Sequence, residues 1–285
     1  MPKVRVVTDS TASLPTEVAD ERGIVVVPLQ VVIGASAYDE GSAEVAPDRL
    51  AAALREFLPV STSRPAPAAM LEVYERLAAE GVEEIVSIHL SGDMSGTFES
   101  AQLAARQASV PVTTVDSRQV GIATGFAALT AADVLDAGGS ARDAAAAATE
   151  RAARSSSLFY VDTLEYLRRG GRIGAATALF GGALAVKPLL TIVDGRVSTL
   201  EKVRTSARAL SRLEDLAVER AADLQVDVSV AHLANGERAG HLADRLHGRL
   251  AANLGGREPW CGELGAVLGA HVGPGMLAVC VAPRP

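Results

Sequence analysis

Short β-branched runs alternating with helix-periodic stretches organise the first half of the chain. Val4 to Val7 is an apolar run that breaks into Thr8-Asp9-Ser10-Thr11, after which the pattern predicts a helix to Arg22, a stop at Gly23 and a second apolar run from Ile24 to Ile33. Strand, helix and strand in that order form a βαβ unit. The pattern repeats as a helix near Pro67 to Ala79, a strand from Ile85 to Leu90, a helix from Phe98 to Ala108, a strand from Val112 to Val115 and a long helix from about Ile122 to Ala137. Such alternation implies a parallel sheet with helices on both faces.

The texture changes after an Ala-rich helix from Ala141 to Arg154, and Ser155-Ser156-Ser157 marks a domain boundary. Beyond it, Leu189 to Val193 and Arg196 to Lys202 flank Asp194-Gly195, a strong hairpin signal, so this sheet contains an antiparallel pair. A helix from about Ser206 to Ala222, a strand from Val226 to His232, a helix from Arg238 to Ala251 and a closing strand from Met276 to Val281 follow. The expected fold is a two-domain α/β protein, with a parallel α/β domain over residues 1–155 and a mixed α/β domain over residues 156–285.

Polar clusters sit where strands end, which is where such sheets bind ligands. The stretch Glu84 to Ala101 reads as a buried strand, a hydroxyl-rich loop and a helix start. Gly92 and Gly96 permit close backbone approach, Ser91, Ser95 and Thr97 offer hydroxyls, and the open N–H groups of the next helix favour an anion. A second cluster, Ser61, Thr62 and Ser63, precedes a helix whose early prolines suit its first turn. Asp9-Ser10-Thr11 and Asp116-Ser117 complete the set. Each alone reads more readily as a helix cap, and together they point to a shared polar crevice.

Composition narrows the classes. The 285 residues are 48% hydrophobic and only 4% aromatic, which suits Ala, Val, Leu and Ile packing between helices and sheet. A net charge of −7 argues against a broad nucleic-acid surface and allows at most transient membrane contact. Cys261 and Cys280 share no metal-site spacing with each other or with the five histidines, and no segment resembles a signal peptide, so the expectation is a cytoplasmic protein with free thiols and no metal. The apolar runs Ile24 to Ala37 and Ile173 to Val186 are too short or too polar to span a bilayer.

No Walker A or dinucleotide fingerprint is present, so neither ATP nor NAD is expected as a cofactor. The run Gly92-Asp-Met-Ser-Gly96 fails the G-x-S-x-G spacing, so the signal for a serine hydrolase is weak. His271 lies in the glycine-rich Gly269 to Gly275, read as a turn, where it either meets a ligand or caps the turn. His89, inside a strand, reads as a satisfied core histidine. Basic residues gather in Tyr166 to Ile173, at Lys187 and in Glu201 to Thr205, as a solvated face or as a docking surface for an acidic partner or a phosphate.

Over essentially its whole length the chain resembles the DegV family of fatty acid-binding proteins, the lipid-carrying subunits of bacterial fatty acid kinase. The matching residues are Val7-Thr-Asp-Ser-Thr11, Thr62-Ser-Arg-Pro65, Leu90-Ser-Gly-Asp-Met-Ser-Gly-Thr97, Val115-Asp-Ser117, Leu167 to Ile173, Lys187-Pro188, Lys202-Val-Arg-Thr205 and Gly269 to Gly275. The resemblance implies one bound long-chain fatty acid such as palmitate, with the second domain closing over its acyl chain. Thr62 and Ser95 would hold the carboxylate with Ser63 and His271 nearby. It further implies a separate ATP-dependent fatty acid kinase catalytic subunit as partner, facing Arg172, Lys202 and Arg204. The alternatives are a serine-dependent lipid hydrolase using Ser95 with His271 and a regulatory protein merely stabilised by its lipid. Two positions depart from the family pattern: Gly92 replaces the second serine of a Ser-Ser pair, and Arg64 replaces a glutamine.

Overall fold

The computed structural model describes residues 3–56, 58–173 and 187–285. All but the first residue of the apolar run Ile173 to Val186 therefore lies outside the described residues. The chain runs β1 (Val4–Asp9), α1 (Thr16–Glu21), β2 (Val25–Val27), β3 (Gln30–Ile33), β4 (Ser36–Asp39), α2 (Pro47–Arg55), β5 (Val60–Ser63), α3 (Pro67–Ala79), β6 (Glu84–His89), α4 (Thr97–Ala105), β7 (Val112–Asp116), α5 (Ile122–Asp136) and α6 (Ala141–Arg154). It continues as β8 (Ser156–Tyr160), α7 (Glu165–Arg169), β9 (Lys187–Val193), β10 (Arg196–Val203), α8 (Ser206–Ala221), β11 (Val226–His232), α9 (Gly236–Arg249), α10 (Ala251–Leu254), β12 (Trp260–Glu263), α11 (Ala266–Val272) and β13 (Leu277–Pro283).

Two compact units result. One comprises Met1–Gln30 and Ser63–Arg154 with the terminal Pro285, the other Val31–Thr62 and Ser155–Arg284. Residues 31–62, expected in the first domain, belong to the second. Pro28, which carries no N–H for a ladder, splits the apolar run Ile24 to Ile33. Its first part pairs with β1, whereas β3 enters a separate three-stranded sheet ordered β4-β3-β5. The expected helix up to Arg22 is also shorter. Asp9 draws Thr11 into a single 3-10 turn, and Ser13 adopts φ 53°, so α1 starts only after Pro15.

The first unit is built on a parallel sheet ordered β2-β1-β6-β7. Val6, Val86 and Ile88 face one layer with the alanines of α5 and α6, while Val7 and Ile85 face Met70, Tyr74 and Leu77 of α3. From β1 the chain moves outward to β2, and from β6 outward in the opposite direction to β7. The carboxyl ends of β1 and β6 thus flank a topological switch point, the usual ligand position in such sheets.

In the second unit, a mixed six-stranded sheet runs β10-β9-β8-β13-β11-β12, with β11 and β12 parallel. The hairpin expected at Asp194-Gly195 joins β9 and β10, and Asp194 takes φ 49°. Leu213 and Leu216 of α8 and Leu242 and Leu246 of α9 cover Leu158, Val228 and Val279. Among the described residues no helix is long and apolar enough to cross a membrane.

Gly125 lets α5 lie against the chain leaving β1, since a Cβ there would sit 2.6 Å from the Ala12 carbonyl and 3.0 Å from Leu14. Helix propensity alone predicts that Gly125→Ala stabilises by about 0.5–1 kcal/mol. Overpacking against a fixed carbonyl predicts the opposite sign, a loss of about 1–3 kcal/mol, which urea unfolding would measure.

Candidate functional site

In the second unit, His271 occupies the last turn of α11, so the glycine-rich segment expected as a turn is helical up to Val272. Gly265, at the helix start, has no side chain to cap the open N–H groups. Glu40 supplies the cap from a distant part of the chain, its Oε1 accepting from the Val267 amide at 2.7 Å. A side chain at Gly265 would collide with that carboxylate. At the other end Gly273 reverses the chain at φ 76°, a conformation glycine adopts without strain, and lies so close to the Tyr166 ring that a Cβ would clash.

These constraints aim His271 at Thr62, whose Oγ1 lies 2.8 Å from Nε2. The pair belongs to a cavity of about 350 Å³, within the ordinary range of roughly 300–1,000 Å³ for small-molecule sites. Leu54, Leu58 and Val60 contribute apolar lining, and Tyr166, Gly170 and Arg172 line it as well. Tyr166 donates weakly from its hydroxyl to the Leu54 carbonyl at 3.4 Å. Gly170 lies against His271 Nδ1, where a larger residue would displace the ring.

Burial, reinforced by the positive charge of Arg172, pushes the His271 pKa down to about 4. Near neutral pH the ring is therefore uncharged, with one nitrogen donating and the other accepting. Such an imidazole, a hydroxyl and a guanidinium, set against aliphatic side chains, suit a ligand with an anionic head and a hydrocarbon body. Arg168 and Arg169 at the rim are matched by Glu165, with N···O distances of 2.7 and 2.8 Å.

Ser95 and Ser63 belong to the first unit. Ser91 is fully buried and closes the loop that carries Ser95: its carbonyl accepts from Met94 and Ser95 at 3.0 and 3.1 Å, and its hydroxyl from Asp93 at 3.2 Å. Ser95 Oγ lies 2.9 Å from Thr97 Oγ1 and accepts from the amide of Thr97, the first residue of α4, at 3.3 Å. Ser63 is exposed and donates to the Arg64 carbonyl at 3.3 Å.

Both departures from the family pattern find a local reason. Arg64 straps the loop, donating to the Gly96 carbonyl at 3.0 Å and to Glu99 at 2.6 Å. Gly92 donates its amide to Asp116 at 3.2 Å, and a Cβ there would press on the same carboxylate at 3.1 Å.

Of the cations expected to face a kinase, Arg172 is half-buried in the cavity wall, Lys202 is exposed on the edge strand β10, and Arg204 is exposed just before α8. His89 is wholly buried and hydrogen-bonded to Asp9 and Ser87, as a core histidine requires. Sequence reasoning missed α2 and the wall it provides. A signal was present, because Pro47 at a first turn followed by Leu50, Ala51, Ala53 and Leu54 is an amphipathic helix start. Glu40 carried no such signal. Among the described residues, no group of three His, Cys, Asp or Glu side chains is placed to hold a metal ion.

The family model described as "Uncharacterised protein, DegV family" matches residues 3–284. A DegV domain-containing protein of Streptomyces coelicolor is 52% identical over 281 residues, covering 99% of this chain and 99% of that relative. A solved structure reporting fatty acid binding of a DegV family protein from Thermus thermophilus superposes with a TM-score of 0.90 at 33% identity, over 99% of this chain and 100% of the other. DegV of Bacillus subtilis, solved as a fatty acid binding protein, gives a TM-score of 0.90 at 32% identity over 100% of both chains.

The histidine makes a pH prediction. Its folded pKa near 4 lies below the unfolded value of about 6.5, so between those limits the unfolded chain binds more protons and stability falls as pH drops. The loss should reach roughly 2–3 kcal/mol and be absent above about pH 6.5. His271→Gln should flatten that part of the stability profile, and the His271 ring resonances should titrate near pH 4.

Proposed function

The chain belongs to the DegV family, and on that premise we propose that it is a cytoplasmic carrier that holds one long-chain fatty acid and offers its carboxylate to a separate ATP-dependent kinase. The observation that carries the lipid-binding part is the 2.8 Å Thr62–His271 pair in the lining of a cavity that Leu54, Leu58 and Val60 also line. Two relatives at about a third identity, described as fatty acid-binding, support the ligand class.

Affinity in this reading comes from the tail. Burying about sixteen carbons at roughly 0.8 kcal/mol per methylene gives on the order of 12 kcal/mol before association and ordering costs. The head group loses water on entry, and donors from Thr62, His271, Ser95 and Ser63 offset that loss while fixing which end is presented. Ser95 and Ser63 join this set through their motifs. Arg172, in the cavity wall, adds a positive charge that favours a carboxylate over a neutral head. In the transfer step, a carboxylate oxygen of the bound acid attacks the terminal phosphorus of ATP on the kinase, giving an acyl phosphate and ADP. Lys202 and Arg204, exposed on one stretch of chain, suit a surface that meets the kinase.

Native mass spectrometry of the freshly purified protein should find one equivalent of a fatty acid such as palmitate per chain. A protein that is empty and remains empty with added fatty acids would overturn the reading. In the same assay the double variant Thr62→Ala with Ser95→Ala should keep its lipid, whereas acyl-phosphate formation with a competent kinase should fall by about tenfold or more. Unchanged transfer would remove these hydroxyls from the head-group site.

A further inference from the structure

Four polar side chains of the first unit form one hydrogen-bonded line in an interior that water does not reach. Asp9, Tyr74, Ser87 and His89 are each 0% exposed. Asp9 Oδ1 accepts from the Thr11 amide at 3.1 Å and the Thr11 hydroxyl at 2.5 Å. Its Oδ2 lies 2.9 Å from His89 Nδ1 and accepts from the Leu90 amide at 3.1 Å. The line continues from His89 Nε2 to Ser87 Oγ at 2.7 Å and from there to the Tyr74 hydroxyl at 2.8 Å. Burial, partly offset by the bond to Ser87, pushes the Tyr74 pKa up to about 12, so its hydroxyl stays protonated.

The order Asp, His, Ser matches a hydrolytic triad, yet Ser87 is sealed, with Tyr74 where a substrate would have to stand. What the line does reach is the switch point. Asp9 ends β1, His89 ends β6, and the one carboxylate holds both exits. From Leu90 the constraint passes to Ser91, whose amide donates to the Gln119 carbonyl at 2.8 Å and whose carbonyl accepts from the Ser95 amide at 3.1 Å. An apolar filling would pack these positions with less desolvation, so the fold by itself does not require a buried acid.

We infer that Asp9 and His89 are positioning residues that set the Ser91–Thr97 loop and so the direction in which Ser95 presents its hydroxyl to a carboxylate. The inference rests on the head-group role proposed for Ser95. Its readout is the ratio of affinities for palmitic acid and for hexadecanol, measured by competition on the full-length protein, because the ratio isolates the head from the tail.

Breaking the line with His89→Leu should lower that ratio by about tenfold, the loss of one well-aimed hydrogen bond to a charged group. His89→Gln, which keeps a donor toward Asp9, should recover most of it. Leu77→Ala, a cavity in the same layer, should lower Tm and leave the ratio intact. Ser87→Ala cuts the line more gently and should shift the ratio in the same direction, which keeps the test open should His89→Leu not fold. A wild-type ratio in the broken variants, with Ser95→Ala lowering it, overturns the positioning role alone. A wild-type ratio in Ser95→Ala overturns the Ser95 reading, and the positioning role falls with it.

Discussion

A carboxylate shut away from water must be met by donors from every side, and the wholly buried Asp9 imposes that demand on much of the first unit. Three residues answer it: Thr11 by main chain and side chain, Leu90 by its amide, and His89 by its ring. Drawing Thr11 inward makes the chain leave β1 through a 3-10 turn, which delays α1. Drawing Leu90 inward fixes the start of the loop that Ser91 closes and Ser95 ends. The two strand exits flanking the switch point are thereby held by one side chain, and the hydroxyl-rich loop inherits its geometry from an acid that touches no ligand.

The second unit meets the same demand by a different route. Among the described residues no carboxylate is paired with His271, and burial together with the nearby positive charge of Arg172 keeps its ring neutral. A neutral imidazole beside a threonine hydroxyl can give and take a proton-mediated bond at little desolvation cost. That puts polar groups in the cavity lining without placing a second full charge beside Arg172. Close backbone approach makes the arrangement possible: Gly170 admits the ring, Gly273 admits Tyr166, and Gly265 admits the Glu40 carboxylate that caps α11. A side chain at any of the three would push α11 or its neighbours out of place.

Neighbouring groups fix where several of the cations lie. Arg64 is tied to Gly96 and Glu99 across the Ser95 loop, so a residue that could have steered an anion braces the loop instead. Arg168 and Arg169 share Glu165. Arg172 points its charge into the cavity wall, close enough to depress the histidine.

Sequence alone determined the elements whose stability is local. The period-2 and period-3.6 runs located β1, β6, β11, α3, α5, α6 and α8 within a few residues, and Asp194-Gly195 announced its hairpin, because alternation, capping and turn chemistry act over a few positions. Motif order likewise singled out Thr62, Ser95 and His271 as candidate site residues. Only the tertiary structure decided that residues 31–62 join the second unit, that Gly269 to Gly275 is mostly helix, and that Thr62 meets His271 across 209 positions of sequence. Each of those outcomes turns on a partner far along the chain: the sheet that accepts β3 after Pro28, the Glu40 carboxylate on α11, and the packing that brings two polar groups to one cavity. Local propensity carries no information about such partners, since the free energy that selects them comes from burial and hydrogen bonding between segments that meet only in the folded state.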